Sequence, residues 1–272
     1  MKLNIVTGSS NSLGKEIIKT VHNDHDITIG LSRRGSNIEN IIDLKVDLLS
    51  KEYTKKELFE AIKSCDLTKV ESIHIFHTAS KIKNELPGVL LEDGMPDPKF
   101  TMIDHDNDGI DDEVLKCTLH TFVNTQLWLN EILVELWQQN KPKFFNIIWA
   151  LVDKKDWIPT SHSSMIKANR MLREYLNELT KKDKTIQGVC TSVWTIATAS
   201  ELGHRKFWES DYWLQEKEVV NTIIEKNKKF EGGYSDQDIF SFNPRYESYY
   251  KTETDAQMTE RFKREYGLPY KL

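Results

Sequence analysis

The 272-residue sequence lacks long hydrophobic runs, and its apolar stretches are much shorter than the roughly 20 residues that a membrane-spanning helix needs. The first ten residues, MKLNIVTGSS, turn polar after a short apolar stretch. They therefore lack the longer apolar core and the small-residue cleavage site of a signal peptide. These absences predict a cytoplasmic protein that does not associate with membranes.

Cysteine and excess basic charge are also scarce. The three cysteines (Cys65, Cys117 and Cys190) are far apart and form no CxxC pattern, which favours a reducing compartment and no thiolate metal site. The formal net charge of −5 argues against broad nucleic-acid binding, because such binding requires a concentrated basic face. The proportions of hydrophobic (39%) and charged (29%) residues are those of a folded globular protein.

Strand-like and helix-like segments alternate along the first 200 residues or so. Short β-rich or apolar runs predict six strands, at 2–7, 27–31, 41–46, 70–76, 144–151 and 188–194. Apolar residues at helical spacing predict helices at 13–21, 53–64, 114–138 and 163–180. The run at 144–151 is almost entirely apolar, as is typical of a strand buried in a parallel sheet. The alternation predicts an α/β fold with a doubly wound parallel sheet.

Two regions depart from this alternation. The segment 81–112 is rich in charge and proline and is interpreted as an acidic insertion. The segment 199–272 is rich in tryptophan and tyrosine and is interpreted as a C-terminal extension. Because there is no repeat and no long Pro/Gly/Ser linker, we expect one domain over residues 1–272, with its core at about 1–200.

The strongest chemical signal is the turn between the first strand and the first helix, Thr7-Gly8-Ser9-Ser10-Asn11-Ser12-Leu13-Gly14. At such a junction the pyrophosphate of a dinucleotide meets backbone N–H groups and a helix N-terminus. Gly8 would permit a tight turn, and Gly14 would let the helix approach the strand. The alternative is an ordinary strand–turn–helix with a polar cap. The predicted cofactor contacts are Gly8, Ser10, Asn11, Ser12, Leu13 and Gly14.

Two arginines, Arg33 and Arg34, follow the second strand. In dinucleotide-binding folds an acidic residue at this place binds the ribose 2′-hydroxyl, whereas a basic residue accommodates a 2′-phosphate. The arginines therefore favour NADP(H) over NAD(H). The alternative is a solvated basic turn.

The run Thr7–Gly14 resembles the TGxxxGxG fingerprint of the short-chain dehydrogenases/reductases. Val46-Asp47-Leu48 is similar to the segment that carries the family's adenine-contacting Asp. His77-Thr78-Ala79-Ser80 stands at its Asn-Asn-Ala-Gly element, where only the alanine matches. The helix at 163–179 resembles the family's active-site helix. The resemblance covers about residues 1–200 and implies a Rossmann-like fold of this type, with further cofactor contacts at Asp47, Leu48, Ala79 and Lys167.

The catalytic positions depart from the family pattern. Lys167 matches the lysine of YxxxK, but Ser163 replaces the tyrosine, and a serine hydroxyl is a far weaker acid than a phenol, whose pKa is about 10. Trp149 and Ala150 stand near the position of the family serine, and Thr118 stands at the asparagine. Lys167 would still hold the nicotinamide ribose, unless it is a solvated helix lysine.

Other groups could move the proton. His162 precedes Ser163 and is of the residue type that titrates near neutrality. His77 and the segment 153–156 follow strands whose carboxyl ends are expected at the ligand-binding edge of the sheet. The alternative is that these are idle surface residues. The candidate catalytic residues are Lys167, Ser163 and His162.

The insertion contains Asp104-His105-Asp106-Asn107-Asp108-Gly109-Ile110-Asp111-Asp112, which is similar to the start of a DxDxDG calcium loop. Leu115 stands where the closing bidentate glutamate is expected, so Asp111 or Glu113 would have to substitute for it. The alternative is an acidic cap on the following helix, where carboxylates are favoured. The candidate calcium ligands are Asp104, Asp106, Asp108 and Asp112.

The aromatic segment with Phe207, Trp208, Tyr212, Trp213 and Leu214 stands where the family carries its substrate lid. A lid of this composition favours a bulky, planar or apolar substrate; the alternative is packing against the core or a partner subunit. The tail at 245–250 and 262–272 is rich in tyrosine and arginine, a composition common at interfaces, so we expect a homo-oligomer.

Two classes of function follow from these observations. The first is an NADP(H)-dependent oxidoreductase that acts on a small carbonyl or alcohol substrate with a non-standard proton relay. The second is a catalytically altered relative that binds nucleotides in a regulatory or scaffold role, or that uses the fold for non-redox chemistry.

Overall fold

A parallel β-sheet forms the framework of the computed structural model, which describes residues 1–10, 12–79, 112–141, 143–154, 162–193, 196 and 214–239. Within these ranges the strands are β1 (Lys2–Thr7), β2 (Ile27–Ser32), β3 (Ile42–Lys45), β4 (Ser72–His77), β5 (Asn146–Lys154), β6 (Ile186–Val193) and β7 (Gly233–Ile239). The helices are α1 (Ser12–Val21), α2 (Lys51–Lys63), α3 (Asp112–Gln138), α4 (His162–Lys182) and α5 (Glu216–Lys226), with a short 3₁₀ turn at Leu67–Lys69.

The seven described strands pair in the order β3-β2-β1-β4-β5-β6-β7, and every pair is parallel. The chain first builds outward from β1 to β2 and β3, and then returns to place β4 on the other side of β1. The direction of winding therefore reverses between β1 and β4. In open α/β sheets, ligands bind at such a reversal, at the carboxyl ends of the strands.

Helices cover both faces of the sheet. On one face α2, α3 and α4 bury apolar side chains such as Leu58, Ile132 and Leu176 against the strands. On the other face α1 and α5 bury Ile17, Val219 and other residues. Because helices lie on both sides, the inner strands are buried, which explains the apolar run in the middle of β5 and the burial of every residue of β6.

The six predicted strands and four predicted helices are confirmed, with ends that differ by a few residues. The largest shift is in β5, which begins at Asn146, after the exposed Phe144, and extends to Lys154. The predicted end of the core near residue 200 is too early, because α5 and β7 lie beyond it and β7 continues the sheet. No helix among the described residues is long and apolar enough to cross a membrane.

Candidate functional site

The turn after β1 is folded against the end of β2. The backbone N–H groups of Gly8 and Ser9 donate to the carbonyl oxygen of Leu31 at 2.9 and 3.3 Å. Gly8 has a φ of +74°, a left-handed conformation that glycine adopts readily and that strains other residues. The predicted tight turn at Gly8 is therefore present, and it places the start of α1 at the carboxyl edge of the sheet.

The two glycines of this turn allow backbones to approach closely. A Cβ atom on Gly14 would lie 2.4 Å from the carbonyl oxygen of Gly8 and 2.8 Å from Thr78 Oγ1. A Cβ atom on Gly8 would lie 2.9 Å from Thr78 Oγ1 and 3.0 Å from the backbone nitrogen of Ala79. The turn, the first turn of α1 and the segment after β4 thus form one tightly packed unit that only glycine permits.

This unit fits the pyrophosphate of a dinucleotide. The first N–H groups of a helix have no intrahelical acceptors and carry the positive end of the helix dipole. Here the N-terminus of α1 lies where the winding direction of the sheet reverses, beside a turn in which Gly8 and Gly14 have no side chains to fill the space. Ser10 follows the buried Ser9, and Ser12 begins the helix; Asn11 lies outside the described residues.

A carboxyl group also reaches this turn. Glu216, in the first turn of α5, forms a side-chain hydrogen bond with Ser12. The pKa of the Glu216 carboxyl is raised, mainly by burial and also by the nearby Glu16. The hydrogen bond from Ser12 opposes this shift. The Ser12 hydroxyl is therefore engaged by Glu216, which the sequence did not indicate, and its predicted use for phosphate or ribose requires that contact to open.

Thr7 and His77 connect the ends of β1 and β4. Thr7 Oγ1 lies 3.0 Å from His77 Nδ1 and accepts a hydrogen bond of 3.3 Å from the backbone N–H of Ala79. The hydroxyl of Thr78 donates to the carbonyl oxygen of Thr7 at 2.7 Å. These bonds hold Ala79, a predicted cofactor contact, next to the Gly8 turn.

His77 is not suited to proton transfer. Its side chain is 2% exposed, and burial lowers its pKa to about 3, so the imidazole is neutral near pH 7. Thr7 Oγ1 and His77 Nδ1 form a buried hydrogen bond whose donor depends on the tautomer of the ring. Within the described part of the chain Nε2 has no hydrogen-bond partner, and the ring contacts Phe122 edge-on at 5.1 Å between centroids. Burial therefore counts against both hypotheses for His77, a group that transfers protons and an idle surface residue.

Arg33 and Arg34 follow β2 at the edge of the sheet that carries the Gly8 turn. Both side chains are exposed, and neither guanidinium pairs with a carboxylate of the described residues. The Leu31 carbonyl that accepts from Gly8 and Ser9 is only two residues before Arg33. The arginines are therefore free to pair with an anion beside the turn.

Asp47 and Leu48 follow β3 on the same edge. Asp47 is exposed, and its Oδ1 accepts from the backbone N–H of Leu49 at 3.0 Å, whereas Leu48 is buried. The carbonyl oxygen of Asp47 accepts from Thr54 Oγ1 at 2.7 Å, which joins this turn to α2. Asp47 is thus presented on a well-held turn, where its predicted contact with adenine stays a prediction.

The predicted catalytic residues lie at the start of α4. This helix connects the carboxyl end of β5 to the beginning of β6, so its first residues, from His162, stand at the ligand-binding edge. Ser163 and Lys167 are four residues apart and share a helix face. The described structure covers only the backbone of 162–167, so the proposed roles of these side chains stay predictions.

The middle of β5 contributes to the core and not to the site. Trp149 pairs with Ile75, is 1% exposed and packs against Phe122 at 4.9 Å between ring centroids. Ala150 is also buried. The three residues of β5 that lie beyond the partner of His77 are Val152–Lys154, so a β5 group that reaches a substrate must come from that end. Sequence spacing alone puts Trp149 and Ala150 near the position of the family serine.

Thr118 occupies a position facing the site. It is one helical turn before Phe122, which contacts His77, and is therefore on the same face of α3, nearer the carboxyl edge of the sheet. Its side chain is 1% exposed, and its Oγ1 has no hydrogen-bond partner in the described structure. This unsatisfied hydroxyl is the group with which α3 could bind a water or a substrate oxygen.

The remaining predicted features fall largely outside the described residues. They include Asp104, Asp106 and Asp108 of the calcium loop and the aromatic residues from Phe207 to Trp213. Asp112 is the first residue of α3, the place that the helix-cap alternative assigns to it. In the described ranges, no group of three or more His, Cys, Asp or Glu residues could hold a metal ion. Leu214 is buried in the core and bridges to Ile196, so its side chain is not part of a lid surface.

Comparisons with known proteins agree with this architecture. No protein-family model and no curated protein sequence matches the chain. Solved structures do match: a short-chain dehydrogenase family protein from Francisella tularensis is 19% identical, with a TM-score of 0.55 over 88% of this chain and 97% of that one. Aldohexose dehydrogenase from Thermoplasma acidophilum is 13% identical, with a TM-score of 0.62 over 87% and 92%.

A third similar structure is 4-hydroxyisoleucine dehydrogenase in complex with NADH, which is 14% identical, with a TM-score of 0.56 over 88% of this chain and 97% of that one. Identities at this level show a common fold and no more. The chain therefore has the Rossmann-like fold of the short-chain dehydrogenases/reductases.

Proposed function

We propose that the protein binds a nicotinamide dinucleotide, with preference for NADP(H), and acts as an oxidoreductase of the short-chain dehydrogenase type. The observation that carries this proposal is the glycine-dependent unit at the N-terminus of α1, together with Arg33 and Arg34 at the end of the neighbouring strand, which are exposed and form no ion pair with the described residues. The structural neighbour in complex with NADH is consistent with a cofactor of this class.

In this proposal the protein binds and orients the cofactor, which supplies hydride-transfer chemistry when bound. The turn at Gly8 and the start of α1 would hold the pyrophosphate. Arg33 and Arg34 would pair with the 2′-phosphate through charge-assisted hydrogen bonds. Lys167 would hold the nicotinamide ribose. The backbone of Ala79 would line the crevice that holds the cofactor.

Two of the candidate proton donors are poorly suited to the proposed reaction. A carbonyl reduction needs a proton donor within hydrogen-bond reach of the developing oxyanion. Ser163 is poorly acidic, and His77 is buried and neutral. His162 is the remaining titratable candidate beside Ser163. We therefore expect slow turnover of generic aldehydes and ketones, because a missing donor commonly costs on the order of 10²–10³-fold in rate.

A carbonyl panel followed by NADPH absorbance tests the proposed reaction. We expect little or no turnover with generic substrates and no full recovery in Ser163→Tyr, because Thr118 and the end of β5 are unchanged. Rapid turnover by the unmodified protein would contradict the altered relay. NADPH binding with no turnover on any substrate would instead support the second candidate function, a nucleotide-binding protein without carbonyl reductase activity, which the burial and neutral state of His77 favour.

We also propose that the protein forms a homo-oligomer in a reducing, cytoplasmic environment. Exposed apolar side chains on the neighbouring helices α3 and α4 support an interface: Leu127, Val134, Trp137, Met171 and Tyr175. None of the three cysteines forms a disulfide. Light scattering on the purified protein should give a multiple of the 31.7 kDa chain mass, and Trp137→Lys should reduce it.

A further inference from the structure

The loop that carries Arg33 and Arg34 is held by a carboxylate of the neighbouring strand. Asp43 lies in β3, opposite Gly30 of β2. Its Oδ2 accepts hydrogen bonds from the backbone N–H of Ser36 at 2.8 Å and of Asn37 at 3.2 Å. The other carboxylate oxygen, Oδ1, is buried and has no hydrogen-bond partner in the described structure. The hydrogen bonds of this carboxylate are thus committed to the backbone of the loop.

Two further hydrogen bonds and the close packing of Gly35 fix the same loop. The N–H of Gly35 donates to Ser32 Oγ at 3.0 Å, and the N–H of Val46 donates to the carbonyl oxygen of Ser32 at 2.9 Å. Gly35 has a φ of +77°, and a Cβ atom there would lie 2.9 Å from both Asp43 Oδ2 and Lys45 Cε. A side chain at position 35 would therefore strain the backbone and push against the Asp43 carboxylate.

The arginines lie between these two attachments. Ser32 precedes them at the end of β2, and the Gly35–Asn37 backbone that follows them wraps the Asp43 carboxylate. Both guanidinium groups project from a backbone that is already ordered. A binding loop that is ordered beforehand loses less conformational freedom when its ligand binds.

We propose that Asp43 is a positioning residue for the selection of a 2′-phosphorylated dinucleotide, which it favours by holding the Arg33–Arg34 loop without touching the ligand. This inference rests on the proposed function. It also predicts the direction in which removal of Asp43 changes the affinity for a phosphate. If Asp43 acted only through its charge, its removal would strengthen the binding of a phosphate. If it acts by holding the loop, its removal must weaken that binding.

The experiment measures the dissociation constants of NADPH and NADH by fluorescence titration for the wild type, Asp43→Ala and Asp43→Asn. We expect Asp43→Ala to weaken NADPH binding about tenfold and to leave NADH binding within about twofold. Asp43→Asn retains an acceptor oxygen and should lose less. Gly35→Ala, which displaces the carboxylate without removing it, should show the same selective loss.

Asp26→Asn is the matched control. Asp26 also accepts a backbone N–H, that of Lys2 at 2.7 Å, but it precedes β2 and is therefore at the opposite edge of the sheet. This variant should keep the ratio of the two dissociation constants, whatever its melting temperature. Should Asp43→Ala fail to fold, Asp43→Asn and Gly35→Ala provide the same comparison.

The outcomes separate the two levels of the proposal. A wild type that binds neither cofactor, or binds both equally, overturns the proposed function and with it the role of Asp43. A wild type that prefers NADPH, with an unchanged or increased preference in the Asp43 variants, overturns only the role of Asp43. An equal loss for both cofactors would reveal a purely structural residue and would also overturn it.

Discussion

Replacing His77 by asparagine should make the fold less sensitive to mild acid. The His77 side chain is buried at the junction of β4 and α3, and burial lowers its pKa to about 3, against 6.5 for a free histidine. Above pH 6.5 the ring is neutral in both the folded and the unfolded chain. Below that pH the His77 ring binds a proton in the unfolded chain but stays neutral in the folded protein. The free energy of unfolding therefore decreases as the pH falls toward 3.

The size of the effect follows from the shift. At about 1.4 kcal/mol per pKa unit, the full window is worth about 5 kcal/mol, and the part between pH 6.5 and 5 is worth about 2 kcal/mol. His74 contributes a similar amount in the same interval, because burial, with a smaller effect of Lys2, lowers its pKa to about 4. The wild type should therefore lose about 4 kcal/mol between pH 6.5 and 5 from these two residues.

Urea unfolding at several pH values between 7 and 5 tests this expectation. In His77→Asn the side-chain amide can still form a hydrogen bond with Thr7, and about half of the histidine-dependent loss should disappear. The loss of ring packing against Phe122 lowers the stability at pH 7 but does not depend on pH. His25→Asn, at an exposed position, is the control and should keep the wild-type slope. A full wild-type slope in His77→Asn would refute the buried, neutral state of this ring.

Two further predictions concern the cofactor turn and the insertion. Gly14→Ala should destabilise the fold by about 1–3 kcal/mol and abolish nucleotide binding, because its Cβ atom would lie 2.4 Å from the Gly8 carbonyl oxygen; thermal melting and NADPH titration check this. Gly232→Ala, where a φ of +76° also strains the backbone but away from the turn, is the control and should lower the melting temperature without abolishing binding. Calcium should raise the melting temperature of metal-stripped protein, and Asp106→Ala with Asp108→Ala should remove the rise; no response to calcium would leave only the helix-cap interpretation.

The sequence predicted those parts of the fold that have strong periodicity. The apolar strands and the amphipathic helices before residue 200 follow directly from burial on both faces of a sheet. By contrast β7, GYSDQDI, is a polar edge strand whose residues are exposed or only partly buried, and it gives no strand signal. Helix α5 was missed although Val219, Val220 and Ile223 have helical spacing, because the aromatic segment before it suggested an irregular extension.

The site was predictable where backbone geometry dictates the residue type. Gly8 and Gly14 are glycines because a Cβ atom would collide with neighbouring atoms, and such positions can be recognised in a sequence. The hydrogen bonds to the Asp43 carboxylate depend on the conformation of the loop that precedes it, and the Glu216 contact with Ser12 joins residues far apart in the chain. One sequence contains no signal for either contact. Sequence spacing put Trp149 near the position of the family serine, whereas the pairing of β5 with β4 puts it inside the core. The end of β5 could be located only once this pairing was known.

The most direct test of the central claim is a comparison of NADPH and NADH binding to the wild type and to the Arg33→Ala, Arg34→Ala double variant. The charged pairs to a 2′-phosphate are worth on the order of 1–3 kcal/mol, so the wild type should bind NADPH roughly 5- to 150-fold more tightly than NADH. The double variant should bind both cofactors with the affinity that the wild type has for NADH. Equal affinities in the wild type, or no binding of either cofactor, would contradict the account.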